Sequence, residues 1–143
     1  IYMAYAEANG QLAYANANGT LRLSFGQVKG YQPSDAVWFQ PFSTTQGMAT
    51  SQLNNPATSD ATLPVNFLSS IDACGRSSSA PTFNVRGELV GLMFSGVAEN
   101  QLAAWHYDAQ RSRAVHLDIR YVLSQLRQNT ANQNLLDEMA VSF

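Results

Sequence analysis

The hydrophobic period of the chain changes at Asp118, and that change orders the whole architecture. Before it, apolar and polar residues alternate, as in Leu21-Arg22-Leu23-Ser24-Phe25-Gly26-Gln27-Val28 and Leu63-Pro64-Val65-Asn66-Phe67-Leu68. A period of two sends successive side chains to opposite faces, so each stretch predicts a half-buried strand. After it, Ile119, Val122, Leu123 and Leu126 recur at i, i+3, i+4 and i+7, which is one face of a helix, and Asp118 stands where an N-cap belongs. The pattern predicts a mainly β fold of antiparallel strands, a barrel or sandwich closed by a C-terminal helix.

Finer features fill in this outline. Thr82 to Phe94 holds two apolar runs around Asn84-Val85-Arg86-Gly87, a turn signal that predicts a β-hairpin. Residues 104–108 and 113–117 read as a further strand pair around Asp108 to Arg111. Pro41, Gly47 and Asn54-Asn55-Pro56 mark residues 40–62 as a long surface excursion, under which Trp38, Phe39 and Phe42 are expected to pack. A second short helix is expected near Leu135 to Ala140, and residues 1–19 fit either strand-turn-strand or a weak helix.

Composition removes several function classes. The net charge is -2 and no basic stretch is long enough for a nucleic-acid partner. No apolar run approaches the ~20 residues of a membrane helix. The single cysteine, Cys74, rules out an intrachain disulfide and a cysteine-based zinc site. Cys74 reads as a small buried residue. No metal-ligand cluster and no phosphate loop is present, so neither metal nor cofactor is expected.

The chemistry concentrates in Asp72-Ala73-Cys74-Gly75-Arg76-Ser77-Ser78-Ser79-Ala80-Pro81, between a strand and the hairpin. A nucleophilic serine needs an exposed hydroxyl, a base, and N–H donors for the oxyanion. A serine-rich turn is the commoner outcome for such a run. Chymotrypsin-like proteases, however, place their nucleophile in a G-x-S-G-x-P pattern in such a loop. Pro81 sets that register, and Ser78, three residues before it, is the serine that fits.

The stretches TLRLSFGQVKGYQPSDAVWFQPFSTTQGM, LPVNFLSSIDACG, APTFNVRGELVGLMFSG and VHLDIRYVL…LLDEM resemble the C-terminal part of the bacterial dipeptidyl-peptidase 7/11 family. These are serine exopeptidases with a chymotrypsin-like double β-barrel and an inserted helical domain. The resemblance runs from about Thr20 to Met139. It implies that residues 1–143 are the C-terminal part of such a peptidase domain, built on its C-terminal barrel. The catalytic His and Asp would then come from an upstream part of the same protein. It further implies an oligopeptide substrate, release of N-terminal dipeptides, a homodimer, and a periplasmic or cell-surface location.

Residue by residue, the family loop N-D-I-T-G-G-N-S-G-S-P lays Asp72 on the family Asp, Ser78 on the nucleophile, and the backbone N–H groups of Arg76 and Ser78 on the oxyanion hole. Much of the loop's frame departs from it, with Ser77 on the family Asn and Ala80 on the family Ser, and three departures along the chain bear directly on the chemistry. Arg76 falls on a glycine that donates an oxyanion N–H, and Ser79 falls on the glycine after the nucleophile. Ser95, in Phe94-Ser95-Gly96, replaces the Asp that grips the substrate's free α-ammonium. Gly96 matches the small residue that leaves the first specificity pocket open to apolar side chains, where an arginine would select Asp or Glu. Phe94, Ser95, Gly96 and Asp72 are thus the expected substrate-binding residues, with Glu99 and Asn100 at the pocket mouth. Asp72 reads as a structural, hydrogen-bonded carboxylate.

No histidine precedes Ser78; His106 and His116 both follow it and read as structural. Two other readings remain: a non-catalytic pseudo-peptidase or peptide-binding domain, favoured by Arg76, Ser79 and Ser95, and a trypsin-like endopeptidase using Asp72.

Overall fold

The computed structural model describes residues 2–10, 21, 23–50, 62–72, 79–103 and 107–139. The predictions made for Cys74, Arg76, Ser78 and His106 therefore fall outside the described residues. The order of elements is α1 (Tyr2–Ala8), β1 (Tyr31–Ser34), β2 (Val37–Phe39), β3 (Phe42–Thr44), α2 (Thr45–Thr50), β4 (Pro64–Ser69), β5 (Ala80–Phe83), β6 (Leu89–Gly96), β7 (Ala114–Asp118), α3 (Ile119–Arg127) and α4 (Gln133–Glu138). Short 3-10 turns cover Ala98–Leu102 and Thr130–Asn132.

The sequence patterns account for the central elements. β4 buries Val65, Phe67 and Ser69 in strict alternation, and β7 buries Ala114, His116 and Asp118. The β5–β6 hairpin turns where predicted: the Asn84 carboxamide oxygen accepts from the N–H groups of Arg86 and Glu88, and Gly87 takes φ +80, which glycine adopts without strain. The period change at Asp118 is a strand-to-helix junction. The Asp118 carboxylate accepts from the Arg120 N–H at 2.9 Å and caps α3, which lies against β4, β6 and β7.

The strands form one five-stranded antiparallel sheet, β3-β4-β7-β6-β5, beside the two-stranded β1-β2 ribbon. The mainly β, antiparallel prediction with a following helix is met. Among the described residues, however, the sheet is open, with β3 and β5 at its edges, rather than a closed barrel. The outer side of β4 is shared: Phe42–Thr44 pair with its first half, and residues 27–29 bond to residues 68–70 beyond it.

Three local expectations are corrected. Leu21 to Val28 is not a strand; only Val28 bridges to Ser69. Its alternation is real, but Leu21, Leu23 and Phe25 stand 85–95% exposed with no sheet to complete them among the described residues. The expected partner of residues 113–117, residues 104–108, lies partly outside the described residues, and both edges of β7 are taken elsewhere. Its partners are β4 and β6, and the Asp108-to-Ser112 segment closes as a turn on the Asp108 carbonyl and carboxylate instead. Trp38, Phe39 and Phe42 are about half exposed rather than covered by the long loop, with Phe39 tilted on Tyr31 and Phe42 on Phe67.

Candidate active site

The loop that carries Ser78 leaves β4 after Ser69 and re-enters the sheet at Ala80. Both of its roots are fixed. At the first, the Ser70 N–H donates to the Gln27 carbonyl at 2.9 Å and the Ser70 side chain accepts from the Gln27 N–H. The Tyr107 hydroxyl donates to the Ser70 carbonyl at 2.7 Å. Burial, with the Asp72 carboxylate nearby, raises the Tyr107 phenol above its usual range. Asp72 is half-buried. At the second root, the Ser79 N–H donates to the Met93 carbonyl at 2.6 Å.

Ser79 itself takes φ +70. This is the left-handed region, where a residue with a Cβ is disfavoured and glycine is at ease. The residue aligned with a glycine of the family loop thus sits in a conformation suited to glycine. That strain is one Ser79 carries and a glycine would not.

β6 outruns its hairpin partner. Ala80 pairs with Met93, and β6 continues through Phe94, Ser95 and Gly96. On one side Ser95 and Gly96 pair with Val115 and Ala114 of β7, past an irregularity after Met93. On the β5 side they have no strand partner among the described residues. Phe94, Ser95 and Gly96 are all exposed, and the Ser95 hydroxyl turns onto the Gly96 carbonyl at 3.2 Å. The edge without a strand partner therefore begins at Phe94, just after Met93, the residue on which the 70–79 loop closes through Ser79.

The end of this edge is locked from behind. A Cβ on Gly96 would stand 2.6 Å from Nδ2 of Asn100, closer than atoms can pack. Asn100 cannot simply swing away, because Nδ2 donates to the Arg113 carbonyl at 2.9 Å and Oδ1 accepts from the Arg113 N–H at 3.0 Å. The Arg113 side chain is buried and gives its N–H groups to the carbonyls of Gly30, Ala109, Gln110 and Ser112. Its guanidinium also lies 5.7 Å from the centre of the Tyr31 ring. The Tyr31 hydroxyl donates to Glu99 at 2.9 Å; burial and that carboxylate push the phenol up to about 12. Glu99 thus holds Tyr31, and Asn100 is the side chain against Gly96. An open apolar groove of about 280 Å³, lined by Tyr31, Phe39, Phe67, Val97 and Val115 among others, adjoins this region through Tyr31, Val97 and Val115.

His116 is fully buried between two hydroxyls: Nε2 is 2.7 Å from Ser69 Oγ and Nδ1 is 2.8 Å from Thr82 Oγ1. Its ring stacks on Phe67 at 4.6 Å and 5°. Burial lowers its pKa to about 4, so it is neutral at neutral pH. The Ser69–His116 contact has the length of a nucleophile–base pair, but the 0% exposure of the ring and 3% of Ser69 give a substrate no access. Among the described residues no carboxylate bonds to the ring. His116 is structural, as the sequence suggested, and more deeply buried than a strand-end position implies.

Of the residues expected at the site, Asp72 lies at the first root of the loop and Phe94, Ser95 and Gly96 follow Met93 on β6. Sequence reasoning missed Arg113, Ser69 and Thr82; Arg113 is out of phase with the buried positions Ala114, His116 and Asp118, so alternation did not announce it.

The whole chain can be set beside known proteins. Residues 1–141 match the family model for peptidase S46. An Asp/Glu-specific dipeptidyl-peptidase of Shewanella putrefaciens is 34% identical over an alignment that covers 96% of this chain and 25% of that protein. A dipeptidyl-peptidase 7 of Porphyromonas endodontalis is 31% identical, with 84% of this chain and 17% of that protein covered. The solved structure of Porphyromonas endodontalis DPP11 in complex with dipeptide Arg-Glu superposes with a TM-score of 0.80 at 32% identity, covering 99% of this chain and 23% of the other. The chain thus spans a quarter or less of the relatives it matches. By these matches the chain belongs to the peptidase S46 family.

Proposed function

We propose that this chain is the nucleophile-bearing segment of a serine-type dipeptidyl-peptidase that releases N-terminal dipeptides from oligopeptides. It would form the C-terminal barrel of a chymotrypsin-like domain, with the open sheet completed by the upstream part that brings the catalytic His and Asp. The observation that carries this reading is the adjacency of the loop of Ser78 to the free edge Phe94–Gly96, joined through Ser79 and Met93. An extended peptide adds to an unpaired strand edge through main-chain hydrogen bonds. A substrate docked there has its scissile carbonyl delivered to the loop root.

Ser78 Oγ then attacks that carbonyl, its proton passing to the upstream His, and the oxyanion is met by the N–H groups of Arg76 and Ser78. Collapse expels the amine of the shortened peptide, which takes the proton, and leaves the dipeptide acylated on Ser78. Water hydrolyses the ester.

Gly96 supports an apolar preference at the first pocket. The space beside it is held by an uncharged carboxamide, and a longer side chain there has to displace Asn100. The relatives include both an Asp/Glu-specific dipeptidyl-peptidase and a dipeptidyl-peptidase 7; on the reading taken from the resemblance, the residue at position 96 distinguishes the two classes. No metal or cofactor enters this reaction. By the same resemblance the protein would be a homodimer in the periplasm or at the cell surface.

The test is turnover of dipeptidyl substrates by the full-length protein, with apolar and acidic residues compared at the second position. The pseudo-peptidase reading draws on two specific observations, the left-handed φ of Ser79 and the hydroxyl at Ser95 in place of a carboxylate. It predicts peptide binding without turnover. A trypsin-like endopeptidase using Asp72 would cleave after Arg or Lys and ignore a blocked N-terminus.

A further inference from the structure

We infer that His116 is a positioning residue that ties together the two roots of the loop carrying Ser78, through Ser69 on one side and Thr82 on the other. The inference rests on the proposed role of that loop. Ser69 is the last residue of β4 before the loop, and Thr82 lies in β5 just after it. His116 belongs to neither strand. It stands in the middle of β7, neighbour to β4 but separated from β5 by β6. No ladder of the sheet joins β4 directly to β5. The imidazole makes that join, with 2.7 Å to Ser69 Oγ and 2.8 Å to Thr82 Oγ1.

The surroundings explain why the ring can span this distance. Opposite Thr82 on β6 stands Gly91, without a side chain. A Cβ there would come within 2.7 Å of the Phe67 ring, so Gly91 leaves the room in which Phe67 lies. Phe67 in turn stacks flat on His116 and fixes its plane. Two hydrogen bonds and one stacked face leave the imidazole a single orientation. The hydrogen bonding also runs into the loop itself, because the Ile71 N–H donates to Ser69 Oγ at 3.4 Å. A neutral ring donates through one nitrogen and accepts through the other, and the Ser69 and Thr82 hydroxyls, each able to donate and to accept, serve either tautomer. Each nitrogen of a neutral ring then has the partner it needs.

A buried histidine with both nitrogens satisfied stabilises any fold. A positioning role makes a narrower claim: cutting one arm loosens the loop roots and slows the chemical step, while the sheet and substrate binding remain. Thr82→Val removes one arm and keeps the shape; Thr82→Ser keeps the hydroxyl. In the full-length protein, amide hydrogen exchange is read at Ser70 and Ser79, whose N–H groups bond at 2.9 and 2.6 Å across the two roots.

Thr82→Val is expected to speed exchange at both amides at least tenfold, with the β4–β7 ladder unchanged. It should lower kcat about tenfold with KM within twofold, and Thr82→Ser should restore both readings. The inference is overturned by unchanged exchange at Ser70 and Ser79, by acceleration spread evenly over the sheet, or by a Thr82→Ser protein as impaired as Thr82→Val. Exchange is measured without turnover, so it decides the tie even if the wild-type protein hydrolyses nothing, a result that would sink the proposed activity instead.

Discussion

Asn100 fills the space that a side chain on Gly96 would take: a Cβ at position 96 would lie 2.6 Å from the Asn100 amide nitrogen. Asn100 is held there by both backbone groups of Arg113. Pocket specificity and the rigidity behind the pocket are therefore one structural problem. Gly96→Arg alone is expected to lose activity on apolar substrates without gaining it on Asp or Glu, because the arginine collides with a tethered side chain. Gly96→Arg with Asn100→Ala is expected to raise the acidic-to-apolar ratio of kcat/KM at least tenfold over the single variant. Steady-state kinetics on paired dipeptidyl substrates checks this.

On the proposed reading, Ser95 puts a hydroxyl at the position that meets the substrate's α-ammonium, where the family pattern it resembles has a carboxylate. A hydroxyl offers a hydrogen bond but no countercharge, so preference for a free over a blocked N-terminus is expected to be weak. Ser95→Asp should raise that preference about tenfold, the order of a charge-assisted hydrogen bond. An unchanged ratio of free to blocked turnover would contradict this role.

Arg113 is a buried cation held by four carbonyls and by no carboxylate among the described residues. A lysine has one point of donation and cannot reach carbonyls spread from Gly30 to Ser112. Arg113→Lys is expected to cost about 2–4 kcal/mol, since buried acceptors lose their partners. Urea denaturation of the full-length protein measures it, and a loss below about 1 kcal/mol would show that the acceptors find other donors.

His116 gives stability a defined pH dependence. Burial lowers its folded pKa to about 4 from 6.5, so between those values the unfolded state binds the proton more readily. Its contribution is full above about pH 6.5 and is lost as pH falls towards 4. By the relation of pKa shift to free energy the loss is about 3 kcal/mol. His116→Gln is expected to flatten this part of the stability–pH curve; a curve of unchanged slope would contradict the assignment.

Strand and helix periods are local properties, and where burial follows from local alternation the sequence was a sound guide. β4, the β5–β6 hairpin, the Asp118 cap and α3 were all legible in this way. Leu21 to Phe25 alternate just as well, yet nothing among the described residues covers them. Alternation announces a face to be buried but not what buries it. The pairing of β7 was misjudged for a related reason: sequence proximity suggested a hairpin with residues 104–108, while non-local ladders to β4 and β6 prevailed. At the candidate site, Phe94, Ser95, Gly96 and Asn100 were singled out through the pattern they resemble. The tie of Asn100 to Arg113, and the links of Ser69 and Thr82 to His116, join distant segments, which no spacing in a single sequence announces. Ser79 is a middle case. Its place in the pattern marked it as a departure, and its φ of +70 supplies the physical content.

The central claim, that Ser78 is an activated nucleophile, is tested most directly by a fluorophosphonate probe on the full-length protein followed by peptide mapping. The account predicts covalent labelling at Ser78, abolished by Ser78→Ala, with Ser77 and Ser79 unlabelled. Absence of labelling in folded full-length protein, or labelling that survives Ser78→Ala, would contradict it.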